Sequence, residues 1–225
     1  MLIQARLFRL FIVFLLGVWT AGALAQDAVK RAEEVLTSSV GTLERFLNDP
    51  EITDAAQLLG SARGIFIIPE ASRLTLFVGF GGYTGVLLRR DPETDQWSAP
   101  AFYNVTEASV GLQVGMKTAE GVVLLMTDAA IQDALDGSLS FGGSMSVAAG
   151  PLTAGMSSGN ADALSYITEK GVFAGVSMEG FEVNYLQDMN NAFYGAEVSP
   201  EAVLYERLVD SGPALILRER LAEAG

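Results

Sequence analysis

The chain has 225 residues, half of them hydrophobic, with 14 basic against 27 acidic side chains, no histidine and no cysteine, for a formal net charge of −13. Without His or Cys there can be no Ser-His-Asp triad, Cys-His pair, imidazole ligand, zinc-thiolate site or disulfide, so stability must come from the core alone. The acidic balance argues against nucleic acid, whose phosphates demand a basic surface, and against bulk attraction to anionic membranes.

Residues 1–25 carry Arg6 and Arg9 ahead of an apolar run from Leu10 to Trp19, then the small-residue stretch Ala21-Gly22-Ala23-Leu24-Ala25. That order is the n-region, h-region and cleavage site of a secretory signal peptide. The run is about half the roughly 20 residues of a spanning helix, although retention as an anchor is the alternative. Cleavage before Gln26 leaves residues 26–225 as a single domain with 12 basic against 27 acidic residues. This reading predicts export to the periplasm or cell envelope.

From Asp27 to Leu47 the apolar positions Val29, Ala32, Leu36, Val40, Leu43 and Leu47 recur every three or four residues, which predicts an amphipathic helix. A second helix is expected from Asp54 to Arg63, capped by Thr53 and stopped at Gly64. The period then changes. "GIFIIP" reads as a buried strand, Leu74–Leu88 as Gly-rich extended chain, "DPETDQ" as a polar turn and "WSAPAFYNV" as extended again.

Strands are expected in "SVGLQVGMK" and "GVVLLMT", a helix capped by Asp128 and running to Leu135, and further strands in "SLSFGGSMSVAAG", "LSYITEK" and "VFAGVSMEGFEVNY". The chain ends in helices over Asp188–Tyr194, after Pro200, and from Pro213 onward. The sum is an α+β fold: a Gly-rich, mostly antiparallel, curled sheet, barrel- or sandwich-like, with N-terminal and C-terminal helices. Sharp coiling of the sheet explains the 24 glycines better than a ligand surface.

Tempting chemical motifs have plainer explanations. Gly79-Phe80-Gly81-Gly82 lacks the following helix of a dinucleotide site. Asp91, Glu93 and Asp95 are spaced like calcium ligands, but Gln96 stands where the loop needs glycine and Phe102 where it needs glutamate. With Lys30, Lys117 and Lys170 the only lysines for a Ser-Lys dyad, the expectation is a protein without catalytic residues, cofactor or metal.

The stretches "GIFIIPEASRLTLFVGFGGYTGVLLRRD", "SVGLQVG" at 109–115 with Met126-Thr127-Asp128, and "KGVFAG" at 170–175 resemble the SYLF domain family, over about Val29 to Tyr205. The resemblance implies a non-enzymatic lipid-binding domain that contacts phospholipid head groups, described for phosphoinositides in eukaryotic members, through an amphipathic N-terminal helix and basic side chains. Here the candidates are Lys30, Arg31 and Arg45 on the first helix, and Arg63, Arg73, Arg89 and Arg90 around the strands. An exported protein would not meet actin, to which fungal members bind. The alternative is an interaction protein of the envelope that docks on a protein or cell-wall partner without lipid.

Overall fold

The computed structural model describes residues 26–53, 55–69, 83–107, 120–136, 138–150, 161–169, 172–175, 178, 180–206 and 212–225. The expected signal segment, the strand at 109–117 and Arg73 lie outside the described residues.

The first helix, α1, covers residues 26–47. Its buried stripe is Ala32, Val35, Leu36, Ser39, Thr42, Leu43 and Phe46, rotated from the expected one so that Val29, Val40 and Leu47 sit at its margin. The stripe lies on a sheet, and the helix is therefore a packing element in this structure. The second helix, α2, is only Ala55–Gly60. Gly64 does not stop it but opens β1, Gly64–Ile68, because the backbone there is already committed to sheet pairing: the Arg63 N–H donates to Leu125 O at 2.7 Å.

Eight more strands follow: β2 Tyr83–Arg89, β3 Ala101–Glu107, β4 Gly121–Leu125, β5 Ser138–Phe141, β6 Val147–Ala149, β7 Ala163–Glu169, β8 Val172–Gly175 and β9 Phe181–Tyr185. Between and after them come α3 Asp128–Leu135, α4 Gln187–Tyr194, α5 Pro200–Tyr205 and α6 Pro213–Ala224. Thr127, one residue before the expected cap, caps α3 by accepting from Ala130 N.

Among the described residues one sheet holds all nine strands, in the order β5-β9-β3-β2-β1-β4-β7-β6, with β8 also on β7. All pairings are antiparallel except β6 with β7. The two ends of that order, β5 and β6, are neighbours in sequence and meet through a bridge between Phe141 and Met145, so the sheet curls into a nearly closed barrel. The α+β reading with a curled antiparallel sheet and terminal helices holds.

Alternation along each strand divides the core in two. Ile65, Ile67, Val86, Leu88, Val122 and Leu124 face α1, α2 and α6. Phe66, Ile68, Leu87, Tyr103, Val123 and Leu125 face the enclosed side, filled by α3, α5 and the curling strands. Burial, with Tyr185 nearby, pushes the Tyr103 phenol far above its ordinary pKa, and its hydroxyl donates to Ala134 O at 2.8 Å.

Close approaches require several glycines. A Cβ on Gly85 would lie 2.6 Å from the Phe66 ring and 2.9 Å from Ile67 O. This is the coiling explanation in atomic form: strands pressed against rings and neighbouring backbone where no side chain fits.

Polar groups fasten the layers. Glu120, buried beside β4, accepts from Thr42 Oγ1 at 2.7 Å and from Arg45 Nε at 2.8 Å, and thereby ties α1 to the sheet. Ser39, also on the buried stripe, has a hydroxyl with no hydrogen-bond partner among the described residues. An orphaned buried hydroxyl costs about 1–3 kcal/mol of desolvation. Ser39→Ala should therefore raise stability by about 1 kcal/mol, read as a higher urea midpoint at unchanged slope; a lower midpoint would contradict the assignment.

Asp162 joins three elements, accepting from Ser146 Oγ at 2.6 Å, Ser146 N at 3.1 Å and Thr127 Oγ1 at 3.0 Å. These bonds, Ser146 first, hold its carboxyl below the ordinary value of 3.8. A depressed folded-state pKa stabilises above the unfolded value and loses that contribution as pH falls through the folded one. Asp162→Asn should thus flatten the acid limb of a melting-temperature profile below pH 3.8; identical acid limbs in the two proteins would rule the effect out.

Candidate functional site

The antiparallel register of β1 and β2 sets Gly64 opposite Arg89, and the Arg90 N–H donates to Arg63 O at 2.8 Å. Three of the seven expected basic positions therefore gather at one end of the barrel. Strand alternation then separates two of them, because consecutive side chains leave a strand on opposite faces. Arg90 turns to the face covered by α2 and α6, whereas Arg89 turns to α5 and places its guanidinium carbon 3.9 Å from the centre of the Tyr205 ring.

Arg90 is nearly buried, with 11% of its side chain exposed. Nη1 donates to Gly60 O at 2.5 Å and Nη2 to Gly225 O at 3.4 Å, so one guanidinium closes the carboxyl ends of both α2 and α6. A cation at that position also complements the helix dipoles. Arg90 Nε lies 3.4 Å from Asp95 Oδ1, and the guanidinium stands 5.9 Å from the Trp97 ring.

Arg63 shares a cleft of about 80 Å³ with Arg90, between the end of α2 and the turn that carries Pro92 and Asp95. Its Nε is 3.8 Å from Asp128 Oδ1. Around the corner a second small cleft is lined by Arg89, Trp97, Leu204 and Tyr205. Arg218 of α6 donates from Nε to Trp97 O at 3.1 Å, which brings α6 to the same corner. Tyr205, Leu215 and Ile216 are 47%, 45% and 48% exposed.

The other expected positions stand elsewhere. Arg45 pairs with Glu120, which precedes Gly121, the partner of Ile68, so it lies at the end of β1 away from Arg63. Lys30 pairs with Glu34 and Arg31 with Asp27, within α1. Arg73 lies outside the described residues. Arg63 and Arg90 thus face carboxylates, Asp128 and Asp95, and the corner is a mixed surface with apolar side chains. Trp97, Tyr205 and Asp95 complete it, and none was anticipated as a site residue. The alternation of a strand ending in Arg89-Arg90 was the available signal that the pair could not serve one ligand.

Among the described residues, no three His, Cys, Asp or Glu side chains gather as metal ligands, and no helix is long and apolar enough to cross a membrane.

The family described as "Ysc84: Las17-binding protein actin regulator" matches residues 106–224. The chain is 33% identical over 189 residues to an SH3 domain-containing protein, PJ696.02, of Schizosaccharomyces pombe, covering 78% of the chain and 42% of that relative. It is 33% identical over 191 residues to LAS seventeen-binding protein 3 of Saccharomyces cerevisiae, covering 81% and 41%. With SH3 domain-containing YSC84-like protein 1 of Homo sapiens the identity is 28% over 186 residues, covering 80% and 53%. The chain spans about two-fifths to one-half of the length of these relatives.

These findings correct two expectations. The relatives are proteins of yeasts and mammals, cells without a periplasm, which overturns the expected export to a periplasm or cell envelope. A family described as an actin regulator likewise overturns the exclusion of actin, and the relatives named for Las17 and SH3 domains turn attention to protein partners.

Proposed function

The chain belongs to the Ysc84 (SYLF) family, and from that premise we propose that it is a protein-docking module of the actin-regulatory kind that catalyses no reaction. The match to a family described as Las17-binding and actin-regulating carries this reading. The corner formed by Arg89, Tyr205 and α6 supplies a surface of suitable chemistry: tyrosine and arginine, here an exposed Tyr205 stacked on a half-buried Arg89, are among the side chains enriched at protein-recognition hot spots.

The test is co-sedimentation of the full chain with actin filaments, alongside capture by immobilised Las17. Binding to either, weakened at least tenfold by Tyr205→Ala, supports the reading. Absence of binding to both sinks it.

A second reading, contact with phospholipid head groups, is favoured by the approach of Arg63 to Arg90 in one cleft. Guanidinium groups suit phosphate. Vesicles of phosphatidylcholine with and without phosphatidylinositol phosphates distinguish it, since retention only on the phosphorylated lipid, and its loss in Arg63→Gln, is the outcome that lipid contact requires.

A further inference from the structure

The cleft between Arg63 and Arg90 already holds a carboxylate, and holds it poorly. Arg90 spends Nη1 and Nη2 on the carbonyls of Gly60 and Gly225. Its Nε–H is buried and has no hydrogen-bond partner among the described residues. The nearest acid, Asp95, stands at 3.4 Å as an ion pair without hydrogen-bond geometry. A buried guanidinium N–H with no acceptor is costly, whereas a carboxylate seated on it makes one of the stronger hydrogen bonds in proteins.

Asp95 is well placed to leave. Its side chain is 76% exposed, and its backbone has φ +56°, a left-handed conformation uncommon outside glycine. Across the cleft Arg63 is equally loosely held, 3.8 Å from an Asp128 side chain that is 84% exposed. Two guanidinium groups thus line a space of about 80 Å³; the acid that faces each of them is turned to solvent, and neither is held to its arginine with hydrogen-bond geometry among the described residues.

We infer that this cleft receives a carboxylate from a partner protein, an acidic side chain or a chain terminus, and that Asp95 occupies its place until the partner arrives. The inference rests on the protein-docking reading and names the chemistry of the partner. A carboxylate fits better than a phosphate group. The resident group is itself a carboxylate, the space is small, and a chain of net charge −13 opposes a dianion more than a monoanion.

The test is an NMR titration of the arginine Nε–H signals of the full chain with sodium acetate, against sodium chloride at equal ionic strength and, separately, inorganic phosphate. Asp95→Asn is the informative variant, because asparagine tolerates the left-handed conformation and removes only the competing charge. Acetate should move the Arg90 Nε–H saturably, with Kd at least tenfold lower in Asp95→Asn than in the unaltered chain and raised again by adding Arg63→Gln. Three results overturn the inference: no saturable shift in Asp95→Asn, an equal shift with chloride, or saturation by phosphate at lower concentration than acetate. Failure of the unaltered chain to bind actin or Las17 overturns the docking reading instead. Intact partner binding with no acetate response overturns only the cleft.

Discussion

Gly175→Ala should destabilise the fold by at least ~3 kcal/mol, at the top of the range for overpacked sites, and lower the melting temperature by roughly 10 °C. A Cβ at Gly175 would stand 2.1 Å from Gly150 O and 3.0 Å from Gly150 N, and both are backbone atoms with no rotamer to change. Gly150 is itself packed close to the Tyr166 ring, 2.0 Å from where an added Cβ would stand, and Phe46 packs edge-on against that ring at 5.1 Å, so little space is left for it to give way. Gly180→Ala is the control. It has φ +84° but no described atom within 4 Å of its Cβ position, so it tests dihedral strain and should cost about 1 kcal/mol. Calorimetric melting decides, and a Gly175→Ala protein that melts within two degrees of the unaltered chain would refute the steric account.

Asn190→Ala should cost ~3 kcal/mol, because it removes three hydrogen bonds of a buried side chain and orphans a backbone N–H of β3. Asn190 is fully buried; its Oδ1 accepts from Phe102 N at 3.0 Å, and its Nδ2 donates to Phe102 O at 2.9 Å and Leu186 O at 2.8 Å. Truncation leaves the Phe102 N–H without an acceptor and opens a void against α4. Hydrogen exchange gives a specific readout: the Phe102 amide should lose protection by more than global destabilisation explains. Uniform loss across the sheet would instead assign Asn190 a packing role only.

Much of this fold was legible because hydrophobic period and turn residues act locally. The 3.6-residue period of α1, the turn before Trp97, Pro200 at the start of α5 and Pro213 at the start of α6 each depend on a few adjacent residues. Gly64 shows where that logic stops. A glycine after a helical run has the form of a C-cap, yet pairing with β4 draws it into β1, a decision made by residues sixty positions away. The bridge between Phe141 and Met145 is a local contact, but that it closes the barrel is invisible to local pattern, since β5 and β6 become the two ends of the sheet only once β9 and β7 pair with them.

The site was legible only in part, and for the same reason. Arginines at 63, 89 and 90 invite grouping by charge, and register does bring them to one end. Which face each one takes follows from strand parity, and what each meets follows from helices far along the chain: Asp128 for Arg63, Tyr205 for Arg89, Gly60 and Gly225 for Arg90. Asn190 gave no signal at all, because an asparagine in a short amphipathic helix reads as a solvated position until β3 is placed against it.

The manner in which the barrel closes bears on how this domain behaves in crowded company. An open sheet presents rows of unpaired N–H and C=O groups that recruit strands from other molecules, and long flat edges are sites of aggregation. Here the outer edge of β7 is divided between β6, three residues long, and β8, four residues long, running in opposite senses. The Asp49 carboxylate takes the Phe173 N–H of β8 at 2.7 Å, removing a donor from that edge. Among the described residues, that edge offers no run longer than four residues in one direction, which shortens the template it presents to a foreign strand.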